Sequence, residues 1–195
     1  MANKIKFGLQ NVYAAVLTNT MAANGEYTYS YGTPTAIPGA VNLSLEAQGS
    51  SDSFYADNIV FYRALNNLGY SGDLEIALVP DWFRETILKE TPDSNGVQVE
   101  TNKNVDPVYF ALLFEFEGDA NAVRHVLYNC TVSRPALSSQ TREESISPVT
   151  ETLSITADPR EDGLIKARCD AGTSPTAYAS WYTTVYEPVE EEAAG

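Results

Sequence analysis

The feature that most constrains this chain is a two-residue alternation of apolar and polar side chains, repeated in segment after segment. Its clearest instance is residues 108–116. Val108, Phe110, Leu112, Phe114 and Phe116 fall on one side, whereas Tyr109, Ala111, Leu113, Glu115 and the following Glu117 fall on the other, which turns acidic. A strand sends successive side chains to opposite faces, so this period marks a strand with one face on a core. Residues 73–78 repeat it, with Leu74, Ile76 and Leu78 inward and Asp73 and Glu75 outward. Residues 151–157 group Leu153, Ile155 and Ala157, and residues 41–46 set Val41, Leu43 and Leu45 against Asn42, Ser44 and Glu46.

Further strands are predicted at 11–17, 26–31, 58–62, 97–101, 123–133, 164–169 and 180–186, which are rich in Val, Ile, Thr and Tyr. Asn24-Gly25 and Asn95-Gly96 read as hairpin turns. One helix stands out at 80–90: Pro80 and Asp81 suit a first turn, Phe83 and Ile87 share a face, and Pro92 ends it. Trp82 and Phe83 are expected to be core anchors. Many short strands with a single helix predict a mainly β protein, a β-sandwich or barrel with one flanking α-helix, long loops and terminal arms. The whole reads as one domain over 1–186, with extended loops near 30–39 and 134–148 and an acidic C-terminal tail at 187–195.

Charge narrows the function. The 195 residues carry 12 Lys+Arg against 26 Asp+Glu, a formal charge of −14. Ordinary nucleic-acid binding needs a basic footprint that displaces counterions from phosphate, and this chain has the opposite balance. With 44% hydrophobic and 19% charged residues, the material for a core is present and general disorder is excluded. No stretch reaches the ~20 apolar residues of a membrane helix, and no apolar run of signal-peptide length follows the first residues. The expectation is a protein that stays in the cytoplasm where it is made. Two cysteines, Cys130 and Cys169, are too few for a disulfide scaffold and are expected as buried thiols.

Catalytic chemistry finds little to stand on. The single histidine, His125, lies mid-strand with no nucleophile elbow in the chain, and it is expected to be structural or on the surface. Clustered Cys and His for zinc are lacking, as are Walker-type and dinucleotide glycine patterns. Asp158, Glu161 and Asp162 form an acidic turn without the ligand spacing of a calcium loop. Glu115 and Glu117 point off one strand face, which makes them the only acid pair worth naming for a hydrolase. No cofactor is expected, and the chain is not expected to be an enzyme.

What remains is a set of strand faces that are acidic rather than mixed: Glu46, Asp73, Glu75, Glu115, Glu117 and Glu151. In a closed ring of subunits, such faces would line one channel with negative charge. A duplex would slide past that wall rather than adhere to it.

Several blocks of the sequence are also familiar. Phe7-Gly-Leu-Gln-Asn-Val-Tyr-Ala-Ala15, Leu45-Glu-Ala-Gln-Gly-Ser-Ser-Asp-Ser-Phe-Tyr-Ala-Asp57 and Gly69-Tyr-Ser-Gly-Asp-Leu-Glu-Ile-Ala-Leu-Val-Pro-Asp-Trp-Phe83 carry the resemblance, with the phenylalanine-rich strand and Val126-Leu-Tyr-Asn-Cys-Thr-Val132 after them. Up to about residue 185 the chain resembles the phi13-type major tail (tube) proteins of long non-contractile-tailed bacteriophages of Gram-positive bacteria. That resemblance implies a virion tail subunit, assembled in the host bacterial cytoplasm into hexameric rings that stack into a tube. Genomic DNA passes through such a tube without specific binding, and the tail tape measure, tail terminator and baseplate proteins are the implied partners. Ring-to-ring contacts are expected at 30–39, 134–148 and the two termini. An alternative from another class is a carbohydrate-binding β-sandwich, motivated by 12 Tyr and 2 Trp, with Trp181 and Tyr182 as the stacking platform.

Overall fold

The computed structural model describes residues 8–22, 25–103, 106–117, 122–139, 141, 149–172 and 174–189. The fold is mainly β and antiparallel. Its body is a nine-stranded sheet built on the path β2 (Tyr27–Tyr31), β1 (Leu9–Met21), β10 (Phe110–Phe116), β11 (Arg124–Val132), β12 (Glu151–Ala157), β7 (Gly69–Ile76) and β4 (Ala40–Gln48). Two short strands complete it, β3 (Thr35–Ala36) against β1 and β13 (Lys166–Cys169) against β11. The sheet curls until β4 comes back beside β1, which gives it the form of a barrel.

Alternation puts the core where the sequence predicts it. Leu74 and Ile76, Phe110, Leu112 and Phe114, and Leu153, Ile155 and Ala157 line the inside, together with Val12, Ala14 and Cys130. Two departures have local causes. Val41 is exposed because a register shift between Ala40 and Asn42 moves it off the inner face, so that Ala40, Leu43 and Leu45 point in instead. Leu78 is exposed because β7 ends at Ile76, before Pro80 turns the chain into a helix. At Gly72 the strands pack so closely that a Cβ would overlap the Ser44 carbonyl oxygen of β4.

The predicted helix is present but shorter, α1 (Asp81–Thr86). Lys89 adopts a left-handed conformation (φ 62°), and the Glu90 N–H returns to the Arg84 carbonyl, which closes the helix before Pro92 can. Phe83 and Ile87 are buried, and Phe83 meets Phe110 edge-on at 5.8 Å. Trp82 is half-buried, and its Nε1 donates to the Ala36 carbonyl. This helix plugs one end of the barrel.

The expected strand at 180–186 is corrected. The chain there forms α2 (Pro175–Ser180) followed by turns. Ser174-Pro175 is a helix start, and the positions 178, 181, 182 and 185 that face the sheet have helical spacing. Trp181 and Val185 are buried against Ala15, Ala111, Leu113, Val126 and Tyr128 on the outer face of β1, β10 and β11. Among the described residues there are thus two helices, and the second begins a strap that makes a further layer over the sheet.

The stretch 30–39 lies along β1 rather than away from it. Ser30 and Tyr31 belong to β2, Thr35 and Ala36 pair with Ala14 and Tyr13, and Pro34 and Ile37 are buried. Of the expected loop at 134–148, residues 140 and 142–148 lie outside the described residues, as do 190–195 of the tail. The turn at 93–97 is as predicted, with Gly96 at φ 78° between β8 (Thr91–Pro92) and β9 (Gln98–Val99). Cys130 and Cys169 are free and buried, and no helix among the described residues is long and apolar enough to cross a membrane.

Candidate functional site

The six acidic residues separate into three kinds. Glu46, Asp73 and Glu75 occupy one open face. Glu46 pairs in register with Ser71, Asp73 lies between Ser44 and Ser154, and Glu75 lies between Asn42 and Thr152. That face is built by the side chains of β4, β7 and β12 that do not enter the core, so it is a ribbon of hydroxyls and carboxylates. Ser154 donates to Asp73 at 2.7 Å, Thr150 donates to Glu75, and Gln48 donates to Ser71. No ion pair among the described residues includes Glu46, Asp73 or Glu75.

Glu115 is not on an open face. It is 5% exposed and accepts hydrogen bonds from Gln10 Nε2 (3.1 Å), Asn11 Nδ2 (2.5 Å), Arg124 Nε (2.9 Å) and the Tyr182 hydroxyl (3.1 Å). A bulge between Gln10 and Tyr13 leaves Asn11 at φ 51° and re-aims its amide at this carboxylate. Arg124 also stacks on the Tyr178 ring at 3.6 Å, so the ion pair fastens α2 to the sheet. Burial, reinforced by the charge of Glu115, raises the pKa of Tyr182 and keeps its hydroxyl a donor.

Glu151 is corrected as well. It shares parity with Leu153 and therefore points to the barrel interior at the α1 end, where it accepts the Val79 N–H and pairs with Arg84 at 2.7 Å. Glu117 is exposed at the end of β10, two residues from Glu115 but in different surroundings. The acid pair considered for hydrolysis is therefore one buried, fully hydrogen-bonded carboxylate and one solvated one. Trp181 is 1% exposed with Nε1 on the His125 carbonyl, and Tyr182 stacks on Tyr13 at 4.7 Å. Neither ring is offered to a sugar. His125 of β11 stacks on its cross-strand partner Phe114 of β10.

The strap ends in a second ionic cluster. The Arg160 guanidinium, with its side chain 4% exposed, reaches Asp162, Glu187 (2.8 Å) and the Tyr31 hydroxyl (3.2 Å) and lies over the Tyr29 ring at 3.9 Å. Burial pulls the pKa of Arg160 down, but the hydrogen bonds to Asp162, Glu187 and Tyr31 outweigh it, and the net direction is up. Asp162 of the acidic turn is thus an ion-pair partner, held below the usual carboxylate range by Arg160.

One surface has no counterpart among the predicted residues. β5 (Ser51–Ala56) and β6 (Ile59–Leu65) form a separate two-stranded ribbon between β4 and β7. Its turn is Asp57-Asn58, both left-handed (φ 51° and 63°), the backbone that a tight hairpin requires. Along it Tyr55, Ile59, Val60, Phe61, Tyr62 and Leu65 are all 43% exposed or more. Tyr55 and Val60 are opposite one another on one face, and Ile59 and Tyr62 take the other. The sequence signal was a paired run, 51–56 and 59–65, around an Asp-Asn dipeptide; only the second run reads as a strand by apolar content.

No family model and no curated protein matches the sequence. Among solved structures, the chain is similar to one described as the cryo-EM structure of the anti-feeding prophage cap, a tube-terminating cap. The TM-score is 0.47 at 9% identity, over 88% of this chain and 95% of that one.

Proposed function

We propose that the chain is a structural virion protein, a major tail tube subunit that polymerises as stacked hexameric rings and forms an acidic conduit for DNA delivery. The observation that carries this reading is the β5–β6 ribbon, with exposed apolar side chains on both of its faces. Contiguous apolar surface of this kind marks an interaction site, and a lone two-stranded hairpin is only marginally stable in water. Contact with further copies of the chain supplies the missing cover.

The β2 end of the sheet path leaves an edge that an adjoining copy can use. The sequence blocks described above support the same assignment. Contacts between successive rings fall, in this reading, to 30–39, 134–148 and the two termini, and the tape measure, terminator and baseplate proteins meet the tube's interior and ends.

The lining of the bore falls to Glu46, Asp73 and Glu75. These carboxylates share a face with hydroxyls, so phosphate meets repulsion with no cation in register on β4, β7 or β12 to hold it. At physiological salt the screening length is about 8 Å, so this repulsion acts near the wall and leaves the centre of the bore neutral in effect.

The test is electron cryo-microscopy of the purified protein at the highest reachable concentration. Rings of six copies, or tubes, with Glu46, Asp73 and Glu75 on the bore wall are expected. A strictly monomeric protein, or a bore ringed with lysine and arginine, overturns the assignment.

A further inference from the structure

We propose that a cavity at the open end of the barrel receives the apolar flank of the β5–β6 arm of a second copy standing beside the first. This rests on the self-assembly reading above and names the contact that closes it. Among the described residues no helix covers the end opposite α1, where a cavity of about 290 Å³ is lined by Leu43, Leu45, Tyr70, Phe114 and Phe116. Pockets for small ligands run from roughly 300 to 1,000 Å³, so this space suits one or two apolar side chains better than a cofactor. Its lip carries one cation. Lys166 of β13 sits over the Tyr70 ring at 4.4 Å with its ammonium on the Tyr70 hydroxyl, in no ion pair among the described residues.

The arm is the complementary shape. Ile59 and Tyr62, 62% and 65% exposed, share one face of the arm beside a turn whose first residue is Asp57. Apolar flanks beside an acid thus match an apolar hollow beside a lysine. Placement decides which copy supplies the arm. The arm leaves the body between Gln48 and Gly69, at the same end of β4 and β7 as the cavity residues Leu45 and Tyr70. Two copies side by side in one orientation therefore bring the arm of one level with the cavity of the next. Head-to-tail stacking would instead present that arm with the α1 end. The contact is heterologous, one surface meeting a different one, which is the kind that closes into a ring when the rotation allows.

The test uses two full-length variants, Ile59→Cys on the arm and Leu45→Cys in the cavity wall. The native thiols are buried, so oxidation reports the new pair. A mixture of the two variants is expected to give a disulfide-linked dimer containing one copy of each, while either variant alone stays uncross-linked. In parallel, Lys166→Glu sets like charges against each other at the lip and is expected to weaken association by about tenfold at low salt.

Dimers from the Ile59→Cys protein alone, or no mixed dimer from a protein that still forms rings, overturn the arm-to-cavity contact. A lipid or other small apolar molecule retained in the cavity by native mass spectrometry also overturns it. Mixed dimers from a protein that never forms rings support this contact and sink the tube assignment instead, so the two failures are distinguishable.

Discussion

Arg160 and Glu187 are joined at 2.8 Å, and that single ion pair ties the end of the strap to the edge of the sheet, because the same guanidinium also holds the Tyr31 hydroxyl of β2. The pair is asymmetric in its surroundings. The Arg160 side chain is 4% exposed, whereas Asp162 and Glu187 are 43% and 42% exposed.

That asymmetry sets the size of the expected losses. Removing one partner of a fully buried pair costs about 3–5 kcal/mol, because the other charge is stranded. After Arg160→Met the two carboxylates turn to water, so a loss of about 2–3 kcal/mol is expected, below that range. Glu187→Gln leaves Asp162 on the guanidinium and should cost less than about 1 kcal/mol. Denaturant midpoints at constant slope check both values.

Stability should fall at both ends of the pH scale, for different groups. The Arg160 guanidinium holds the Asp162 carboxyl below its ordinary 3.8. Its contribution is present above the unfolded value and is lost as pH falls through the lower folded value. Asp162→Asn flattens that acid limb. Burial raises Tyr31 from 10.0 to about 12, against the pull of Arg160. A raised value means the folded state keeps a proton that the unfolded state gives up, so stability is lost as pH rises from 10.0 towards 12. Ultraviolet titration of tyrosinate alongside unfolding by circular dichroism locates both limbs.

Glu115 and Glu117 should respond very differently to the same change. Glu115→Gln strands the Arg124 guanidinium beneath α2 and is expected to cost about 3 kcal/mol. Glu117→Gln should stay within about 0.5 kcal/mol. Adding Arg124→Gln to Glu115→Gln should cost less than the sum of the single losses, by about 1–3 kcal/mol, since the two side chains share one interaction. Equal effects at 115 and 117 would mean that the buried carboxylate is not anchoring the strap.

Trp181→Ala should destabilise the protein by about 3–5 kcal/mol, the range for emptying a large aromatic site in a core. The indole is 1% exposed and fills the space between the strap and β11. Thermal unfolding reads this directly. A variant that kept its midpoint would show that Trp181 lies at a surface after all, and it would reopen the sugar-stacking reading.

Gly72→Ala and Gly96→Ala separate close approach from backbone freedom. A Cβ at Gly72 collides with the Ser44 carbonyl of the neighbouring strand, and a loss above about 3 kcal/mol is expected. At Gly96 (φ 78°) nothing lies within 4 Å, so only the left-handed backbone resists, at about 1 kcal/mol. Urea unfolding of both variants checks the contrast.

Alternation made the barrel legible, because a two-residue period is a local property of each strand and survives whatever packs against it. Phe110, Leu112 and Phe114 are inside for the reason their spacing announces. The strap was illegible for the opposite reason. Its Trp, Tyr, Thr and Val residues favour strands by propensity, and only the Ser174-Pro175 start and the spacing of 178, 181, 182 and 185 reveal that it turns instead. The arm has the same kind of cause: Asp57-Asn58 is a tight turn without glycine, so neither residue flags the left-handed backbone both adopt.

Parity also explains what happened to the acidic residues. The alternation assigns Glu115 to the outer face correctly, but it carries no information about α2, which arrives from much later in the sequence and buries that face. Glu151 shares the parity of Leu153, so its inward position was available from counting alone. Glu46, Asp73 and Glu75 remain on an open face because the strands that carry them have no strap of their own.

The sealed thiols have a practical consequence for anyone wishing to watch this protein work. Cys130 is 0% exposed and Cys169 is 8% exposed, and burial raises the pKa of both. Neither offers a bulky maleimide a reactive sulfur while the barrel stays folded. A fluorophore placed on Phe61→Cys would therefore be the sole reporter on an otherwise unaltered chain, lighting up one ribbon without any need to strip the protein of its native cysteines.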